Sequence, residues 1–292
     1  MCYLLLGNIS ALISDDCTEP LVNARLRVYL PETGYPNRCR PKKNIFNGPG
    51  LLTAAQVAAK SDRLLAETRL DEKGNFMMTW EQLHLFTEPL ELDICLHHLP
   101  EEGNKVMETH YHLSWLVPHW KRSGLRYVAA YAYVIPAESW SQIRANYGTW
   151  VIAGTVRKMH SSEGQSQLKV EVYNAGNHRL LGCCGTDENG RYQLHFTKKE
   201  LAGALAFLHE PQQESGPDVY FKIYRNNQLL WEEREDAAMM PGRKAIPSCS
   251  IINITIPQQP VPKSQGKNSG HFTGWLSNLA MATGRRSSLV SY

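Results

Sequence analysis

The residues with the most chemical potential in this sequence are histidines. Six of the eleven lie between positions 84 and 119: His84, His97, His98, His110, His112 and His119. In the stretch THYHL (109–113), an extended backbone would put alternate side chains on one face, so His110 and His112 would point the same way. His97 and His98 close the preceding apolar run, PLELDICLHHL. If these runs pair as neighbouring strands, imidazoles from both come together, and imidazole is a ligand for zinc, copper, nickel and iron. His97, His110 and His112 are therefore the candidate metal ligands. No Glu or Cys stands at a recognised ligand spacing from them, so the expectation is no metal, only half-exposed polar positions bordering a loop. An iron dioxygenase on a β-sandwich would need two Tyr and two His, and no spacing here supports one.

Other chemistries lack their signatures. The Gly-x-Ser-x-Gly elbow, the phosphate-binding loop, the dinucleotide fingerprint and the His-Glu-x-x-His zinc motif are all missing from the sequence. The seven cysteines, at 2, 17, 39, 95, 183, 184 and 249, form no Cys-x-x-Cys pair. They read as reduced thiols, several of them core filler. No cofactor is expected. A net charge of +3 is too mild to argue for nucleic acid, and the basic run RCRPKK (38–43) lacks interleaved aromatics. That run is a solvated loop or a contact for an acidic partner. No apolar stretch reaches the roughly 18 residues a membrane-spanning helix needs. The opening MCYLLLGNISALISDD has no Lys or Arg before its apolar run, which Gly7 and Asn8 break, so no signal peptide is expected. Cytoplasmic synthesis is the matching expectation, with a place in a particle released from the cell left open.

The elements that would position these residues are legible from a repeat. LLAETRLDEKGNF (64–76) and LLGCCGTDENGRY (180–192) align without a gap, sharing a Leu pair, an Asp, a Glu, a Gly and an aromatic ring. The surroundings repeat too. YLLLGNISALIS and WVIAGTVRKM (150–159) are first strands; ARLRVYLP (24–31) and LKVEVYNAG (168–176) are second strands with apolar alternation. The Leu-Leu strand then passes through a tight turn, DEKG or DENG, into a fourth strand, which reads as a hairpin. Thr197 with Glu200 is a capping box opening a helix in TKKELAGALAFL, and Thr79 with Gln82 suggests a short helix around WEQLHLF. PLELDICLHHL and PDVYFKIYRNNQLLWEE supply the next strands, and LRYVAAYAYVIP (125–136) and CSIINITIP (249–257) close the two units. Asp71 and Asp187 are expected to cap the turns, Gly74 and Gly190 to take positive φ, and Phe76 and Tyr192 to anchor the cores. The frame is then a turn-and-core device. A calcium loop would need further acidic ligands, which RYQLHF does not offer.

This divides the chain into a first sandwich over 1–136 with an insertion at 32–63, a helical connector at 137–148, a second sandwich over 149–257, and a linker and tail at 258–292. Within the insertion, LLTAAQVAAKSDR reads as a helix. Trp140, Ile143 and Tyr147 would share one face of the connector. The tail follows a Pro/Gln/Ser/Gly linker and regains Phe272, Trp275, Leu276 and Leu279, with Arg285 and Arg286 near its end. Those six residues are the candidate partner contacts.

The second copy, 150–257, resembles the transthyretin-like, or carboxypeptidase regulatory-like, β-sandwich domains, on the run carrying Thr186, Asp187, Gly190 and Tyr192. The first copy resembles them less closely, since Arg69 and Leu70 replace the Gly-Thr before the Asp. The form with PDVYFKIY after a helix is similar to versions embedded in bacterial toxin-complex-like and phage-tail-like proteins. The resemblance implies a mostly β chain of two tandem antiparallel transthyretin-like (Ig-like) β-sandwiches, with short flanking helices and a C-terminal tail. It implies a non-enzymatic structural or adaptor subunit of a larger assembly, such as a contractile injection particle or toxin complex. Expected partners are other protein subunits, met through the tail and the 32–63 insertion, with no nucleic acid and no membrane span. Two alternatives stand beside this. One is a carbohydrate- or cell-surface-recognition module using aromatics such as Tyr111, Trp115 and Trp120. The other is a metal-dependent enzyme built on the first-domain histidines.

Overall fold

Period-2 alternation of apolar residues makes most of this chain strand. The structure, a computed structural model, describes residues 2–31, 49–81, 83, 88–97, 108–202 and 216–257. Its strands are β1 (Cys2–Ser14), β2 (Cys17–Pro20), β3 (Ala24–Tyr29), β4 (Gly50–Leu52), β5 (Leu64–Arg69), β6 (Asn75–Trp80), β7 (Leu90–His97), β8 (Glu108–Leu116), β9 (Lys121–Ser123) and β10 (Arg126–Ile135). They continue as β11 (Thr149–Lys158), β12 (Lys169–Asn174), β13 (Leu180–Gly185), β14 (Arg191–Thr197), β15 (Val219–Arg225), β16 (Gln228–Glu232), β17 (Cys249–Ile251) and β18 (Ile254–Ile256). Among the described residues three α-helices interrupt them: α1 (Ala54–Ala58), α2 (Ala137–Tyr147) and α3 (Lys198–Ala202).

The strands build two tandem, mainly antiparallel β-sandwiches. In the first, β1 lies between β10 and a shared edge on which β6 and then β2 pair. Strand β9 flanks β10, and the facing sheet runs β4-β8-β7-β3-β5. In the second, β11 lies between β14 and the short strands β17 and β18, facing β13-β12-β15-β16. Each sandwich also holds a parallel pairing of its first strand with its last: β1 with β10, and β11 with β17 and β18. The first core joins Leu5 and Ile9 to Leu26, Val28, Leu92 and Ile94; the second joins Ile152 and Val156 to Val170, Val172, Phe221 and Ile223. Each such side chain contributes about 1.5–3 kcal/mol on burial, so these layers dominate the stability.

The repeated turns differ from the hairpins expected. Strand β5 pairs with β3 while β6 pairs with β1, and β13 pairs with β12 while β14 pairs with β11. DEKG and DENG therefore carry the chain from one sheet to the other. Locally the turns are as tight as a hairpin's. The Asp71 N–H donates to Asn75 O (2.9 Å) and the Gly74 N–H to Asp71 O (3.0 Å). Asp71 Oδ1 accepts from the N–H groups of Lys73 and Asn75, both at 2.8 Å, which lowers its carboxyl below the ordinary value. Asp187 Oδ1 accepts in the same way from the N–H groups of Asn189 (2.9 Å) and Arg191 (2.8 Å). Gly74 has φ 74° and Gly190 φ 72°, a region open to Gly at little cost. The layers separate because both arms of each turn carry core residues: Leu181 and Tyr192 enter one core from facing sheets.

Two helix expectations also change. Strand β6 runs through Thr79 to Trp80, because the Trp80 ring is buried and stacks on Tyr3 (centroids 5.9 Å apart). Thr79 thus caps no helix, and residues 82 and 84–87 lie outside the described residues. Among the described residues of the insertion, the α-helix covers Ala54–Ala58, opened by a Thr53–Gln56 capping box and followed by a 3-10 turn at Ser61–Arg63. At Thr197 the carboxylate arm of the box is present, Glu200 Oε2 accepting from the Thr197 N–H at 2.7 Å, while the Thr197 hydroxyl accepts from the Lys199 N–H at 3.2 Å. In the connector, Trp140 and Ile143 are buried and Tyr147 packs half-buried on the same core.

The repeat reaches further than the quoted frame. Gly7 on β1 lies opposite Phe76, and Gly154 on β11 lies opposite Tyr192. A Cβ on Gly7 would sit 1.7 Å from Tyr131 O and 2.9 Å from the Phe76 ring; one on Gly154 would sit 1.9 Å from Ile252 O and 3.1 Å from the Tyr192 ring. The ring lies over the missing side chain, and the Tyr192 hydroxyl donates to Ile252 O at 2.6 Å. Gly154→Ala should therefore separate β11 from its parallel neighbours and cost about 2–4 kcal/mol. Gly190→Val should cost at least about 2 kcal/mol, from positive φ together with a Cβ that meets backbone. Thermal melts of both variants check this, and an unchanged midpoint for either would contradict the placement of these strands.

Candidate functional site: the charged face of the first sandwich

Strands β3, β7 and β8 send alternate residues into the core and the intervening ones to the opposite face. That face collects Arg25 and Arg27 from β3, Glu91, Asp93, Cys95 and His97 from β7, and Glu108, His110 and His112 from β8. Strand register decides who meets whom. Asp93 is opposite His112, Cys95 opposite His110 and His97 opposite Glu108, while Arg27 lies between Asp93 and Glu67 of β5. The face is not open to water throughout. Lys60, from the described half of the insertion, is buried, as are Glu91 and Asp93.

Two clusters result. In the first, the Lys60 ammonium bridges Glu91 and Asp93, lying 2.8 Å from Asp93 Oδ2. Arg63 Nη1 donates to Leu30 O (2.6 Å) and to Glu91 Oε2 (3.3 Å), and His112 Nδ1 lies 3.0 Å from Asp93 Oδ1. Two carboxylates this buried would be strongly unfavourable alone; the ammonium occupies the place a metal cation would take between them.

In the second cluster, Cys95 Sγ lies 3.5 Å from Glu108 Oε2 and 4.0 Å from His110 Nε2, and His110 Nε2 is 3.9 Å from Glu108 Oε2. His97 Nδ1 is 3.5 Å from Glu108 Oε1. These separations approach the edges of a tetrahedral metal site. Two guanidiniums, however, already share the donors. Arg25 pairs with Glu108 and with Glu67 (3.1 Å), and Arg27 pairs with Glu67 and lies 3.4 Å from His110 Nδ1. Burial, then the charge on Arg27, holds His110 below the usual imidazole value, so the ring stays neutral. Burial, then Glu108, pushes the Cys95 thiol up to about 11. Burial alone would raise Glu67, but its hydrogen bond and ion pair with Arg27 leave it below the ordinary carboxylate value. An incoming divalent ion would have to displace the thiol proton beside two fixed positive charges. The geometry suits a network of mutually neutralising pairs better than a metal centre.

The three histidine candidates do not share one point. His97 and His110 flank Glu108, whereas His112 belongs with Asp93. His84 and His98 lie outside the described residues, and His119 is exposed. Spacing along the chain missed the acids and the thiol, yet LELDICLH and ETHYHL do alternate, and that alternation could have placed them. Lys60 had no such signal. Of the aromatics considered for recognition, Tyr111 is buried and Trp120 packs edge-on to Tyr3 (5.1 Å) in the first core; Trp115 lies 5.5 Å from His112. The tail candidates Phe272, Trp275, Leu276, Leu279, Arg285 and Arg286 lie outside the described residues, as does the 38–43 basic run.

A third polar centre sits where the two sandwiches meet. Glu19 of β2 is 4% exposed. Its Oε1 accepts from Trp140 Nε1 and from Arg144 Nε (2.9 Å) and Nη2 (2.7 Å), all on the α2 connector. Its Oε2 accepts from Gln193 Nε2 of β14 at 3.1 Å, with His195 Nε2 at 3.8 Å. Beside it runs an apolar seam of Ile13, Val151 and Ala153, flanked by Cys17 and Cys249.

No protein-family profile matches the sequence, and no curated protein matches it. Among solved structures, the shaft pilin SpaA of Lactobacillus rhamnosus GG aligns over 89% of this chain and 99% of its own, at 9% identity and TM-score 0.29. The minor pilin of Streptococcus agalactiae aligns over 89% of this chain and 98% of its own, at 10% identity and TM-score 0.24. The TIE protein of Bacillus anthracis aligns over 88% of this chain and 34% of its own, at 8% identity and TM-score 0.25. Likenesses this distant carry no argument, and the fold rests on the chain's own strand pairing.

Lys60→Met should leave two buried carboxylates without their ammonium and cost about 3–5 kcal/mol, read as a shift of the urea midpoint. Lys60→Arg should lose less. Zinc offered to the purified protein at neutral pH should not remain after dialysis, by elemental analysis. A retained stoichiometric ion that Cys95→Ser abolishes would make the second cluster a metal centre after all.

Proposed function

We propose that this chain is a non-enzymatic structural or adaptor subunit: a rigid two-module body that joins other proteins in a larger assembly. The Glu19 centre carries the reading. One buried carboxylate ties together β2, the connector helix and β14, so the two sandwiches form a strut and not a hinged pair. Residues 1–257 accordingly make one compact unit. The charged face of the first sandwich supports the same reading. Its titratable groups are engaged with one another, and its thiol is held protonated, the reverse of an activated nucleophile.

A toxin complex or contractile injection particle is the finer setting we propose, on the resemblance of 150–257. The contacts we assign to partners are the apolar residues of the tail after its polar linker, and the first half of the insertion. The second half of the insertion is occupied on its own sheet, through Lys60 and Arg63.

Removal of residues 258–292 tests the assignment. The shortened chain should melt with the full one, because the cores described draw only on residues before 258. It should no longer enter the assembly when expressed beside its native partners, as read by size-exclusion of the particle. Loss of folding would mean that the tail belongs to the chain's own core, and normal incorporation would mean that it makes no partner contact; either result overturns the assignment.

A further inference from the structure

Strand β1 carries apolar side chains on both faces. Its odd positions, Tyr3, Leu5 and Ile9, enter the core. Its even positions share the opposite face with their register partners: Leu4 with Val128, Leu6 with Met77 and Ala130, and Ser10 with Val134. Leu6 is 38% exposed, Met77 67% and Val134 47%. A sheet face that meets water is normally polar at these positions. Asn8, in the middle of this face, already donates to Asn75 Oδ1 (2.9 Å) and Lys73 O (2.8 Å).

The second sandwich indicates how such a face is used. With Gly154 in the place of Gly7, Val151 and Ala153 stand where Leu4 and Leu6 stand in the first. They are 0% and 3% exposed, packed with Ile13 in the seam between the modules. The same sheet face is thus a docking surface in one copy of the repeat and open in the other. Contiguous exposed apolar surface of this kind marks an interaction site.

We infer that this face is the contact between two copies of the chain, packed face to face with their β1 strands antiparallel. The charges at the two ends of the sheet select that occupant and that orientation. At the Cys2 end, Lys121 and Arg126 are exposed and outnumber Glu81; at the Ser14 end, Asp15, Asp16 and Glu138 are exposed. A twofold, isologous arrangement lays each basic end on the partner's acidic end, while the parallel arrangement sets like charges together. Ten residue steps along three strands cover about 500 Å² per copy at ordinary strand spacings, by the usual rise and separation. The pair therefore buries about 1,000 Å², the lower bound for a specific interface, and the dimer is a weak, salt-sensitive one. Self-association through this face does not depend on the adaptor role, whose test concerns residues 258–292.

Sedimentation velocity of the full chain over a range of concentration and salt is the experiment. The expected result is a reversible monomer–dimer equilibrium that weakens as salt rises. Ala130→Glu, and separately Met77→Glu, should raise the dissociation constant at least about tenfold without moving the melting temperature, since each buries an unpaired charge in the interface and touches no core. Arg126→Glu alone should weaken the dimer, and Arg126→Glu combined with Asp15→Lys should restore it. The inference is overturned if the wild-type chain is monomeric throughout, or if its dimer ignores both Glu substitutions. It is equally overturned if a dimer forms only after residues 258–292 are removed, since the chain's own tail would then be the occupant. Failure of the paired charge swap to rescue would overturn the antiparallel orientation.

Discussion

The carboxylate of Glu19 is the point on which the relative placement of the two sandwiches depends. Taking a carboxylate out of water costs several kcal/mol unless donors replace the lost hydration. Here the donors come from positions far apart in the chain: Trp140 and Arg144 on the connector helix, and Gln193 on the second sandwich. In this arrangement of the modules all three donors reach the one carboxylate. The apolar seam of Ile13, Val151 and Ala153 supplies attraction but little direction; the carboxylate supplies the direction. The connector can do its part because its Trp140 and Ile143 are anchored in the first core while its Arg144 reaches the seam.

The same logic governs the charged face. Glu91 and Asp93 are tolerable in a buried sheet because Lys60 and Arg63 descend on them from the insertion. Glu67 and Glu108 are tolerable because Arg25 and Arg27 lie between them. Enzyme sites usually hold titratable groups away from mutual neutralisation so that one can act on a substrate. On this face most charged groups are paired with one another, while Arg25 Nε and His97 Nε2 are buried without a hydrogen-bond partner among the described residues. The insertion is in part a lid over its own sheet.

Much of the fold was legible because period-2 alternation and turn chemistry are local. β1, β3, β7, β10, β11 and β12 lie close to where their alternation placed them, and Gly74 and Gly190 do take positive φ. What failed was long-range. Asp-x-x-Gly specifies a tight turn but not whether its arms join one sheet or two, since that choice belongs to β1 and β3, distant in the chain. Thr79 looked like a cap until Trp80 was seen stacked on Tyr3. For the site, the histidines were visible and their neighbours were not. Glu108 and Cys95 meet His110 through register, and Lys60 arrives through an insertion whose path no pattern in the sequence announces.

The parallel pairing of first strand with last has a consequence for how the chain is made. Strand β1 leaves the ribosome well before its neighbour β10, which begins only at Arg126. At about 5–20 residues per second, β1 waits on the order of ten seconds for that partner. During the wait it offers a thirteen-residue strand, with apolar side chains on both faces and an unpaired edge. Contacts of such sequence separation also close slowly once the chain is complete. The second sandwich has a shorter interval, from Thr149 to Cys249, and finds the first already assembled as a template. Birth of this protein is therefore vectorial: the N-terminal module is the hazardous step, and the segment most in need of a chaperone is the one that later becomes its central strand.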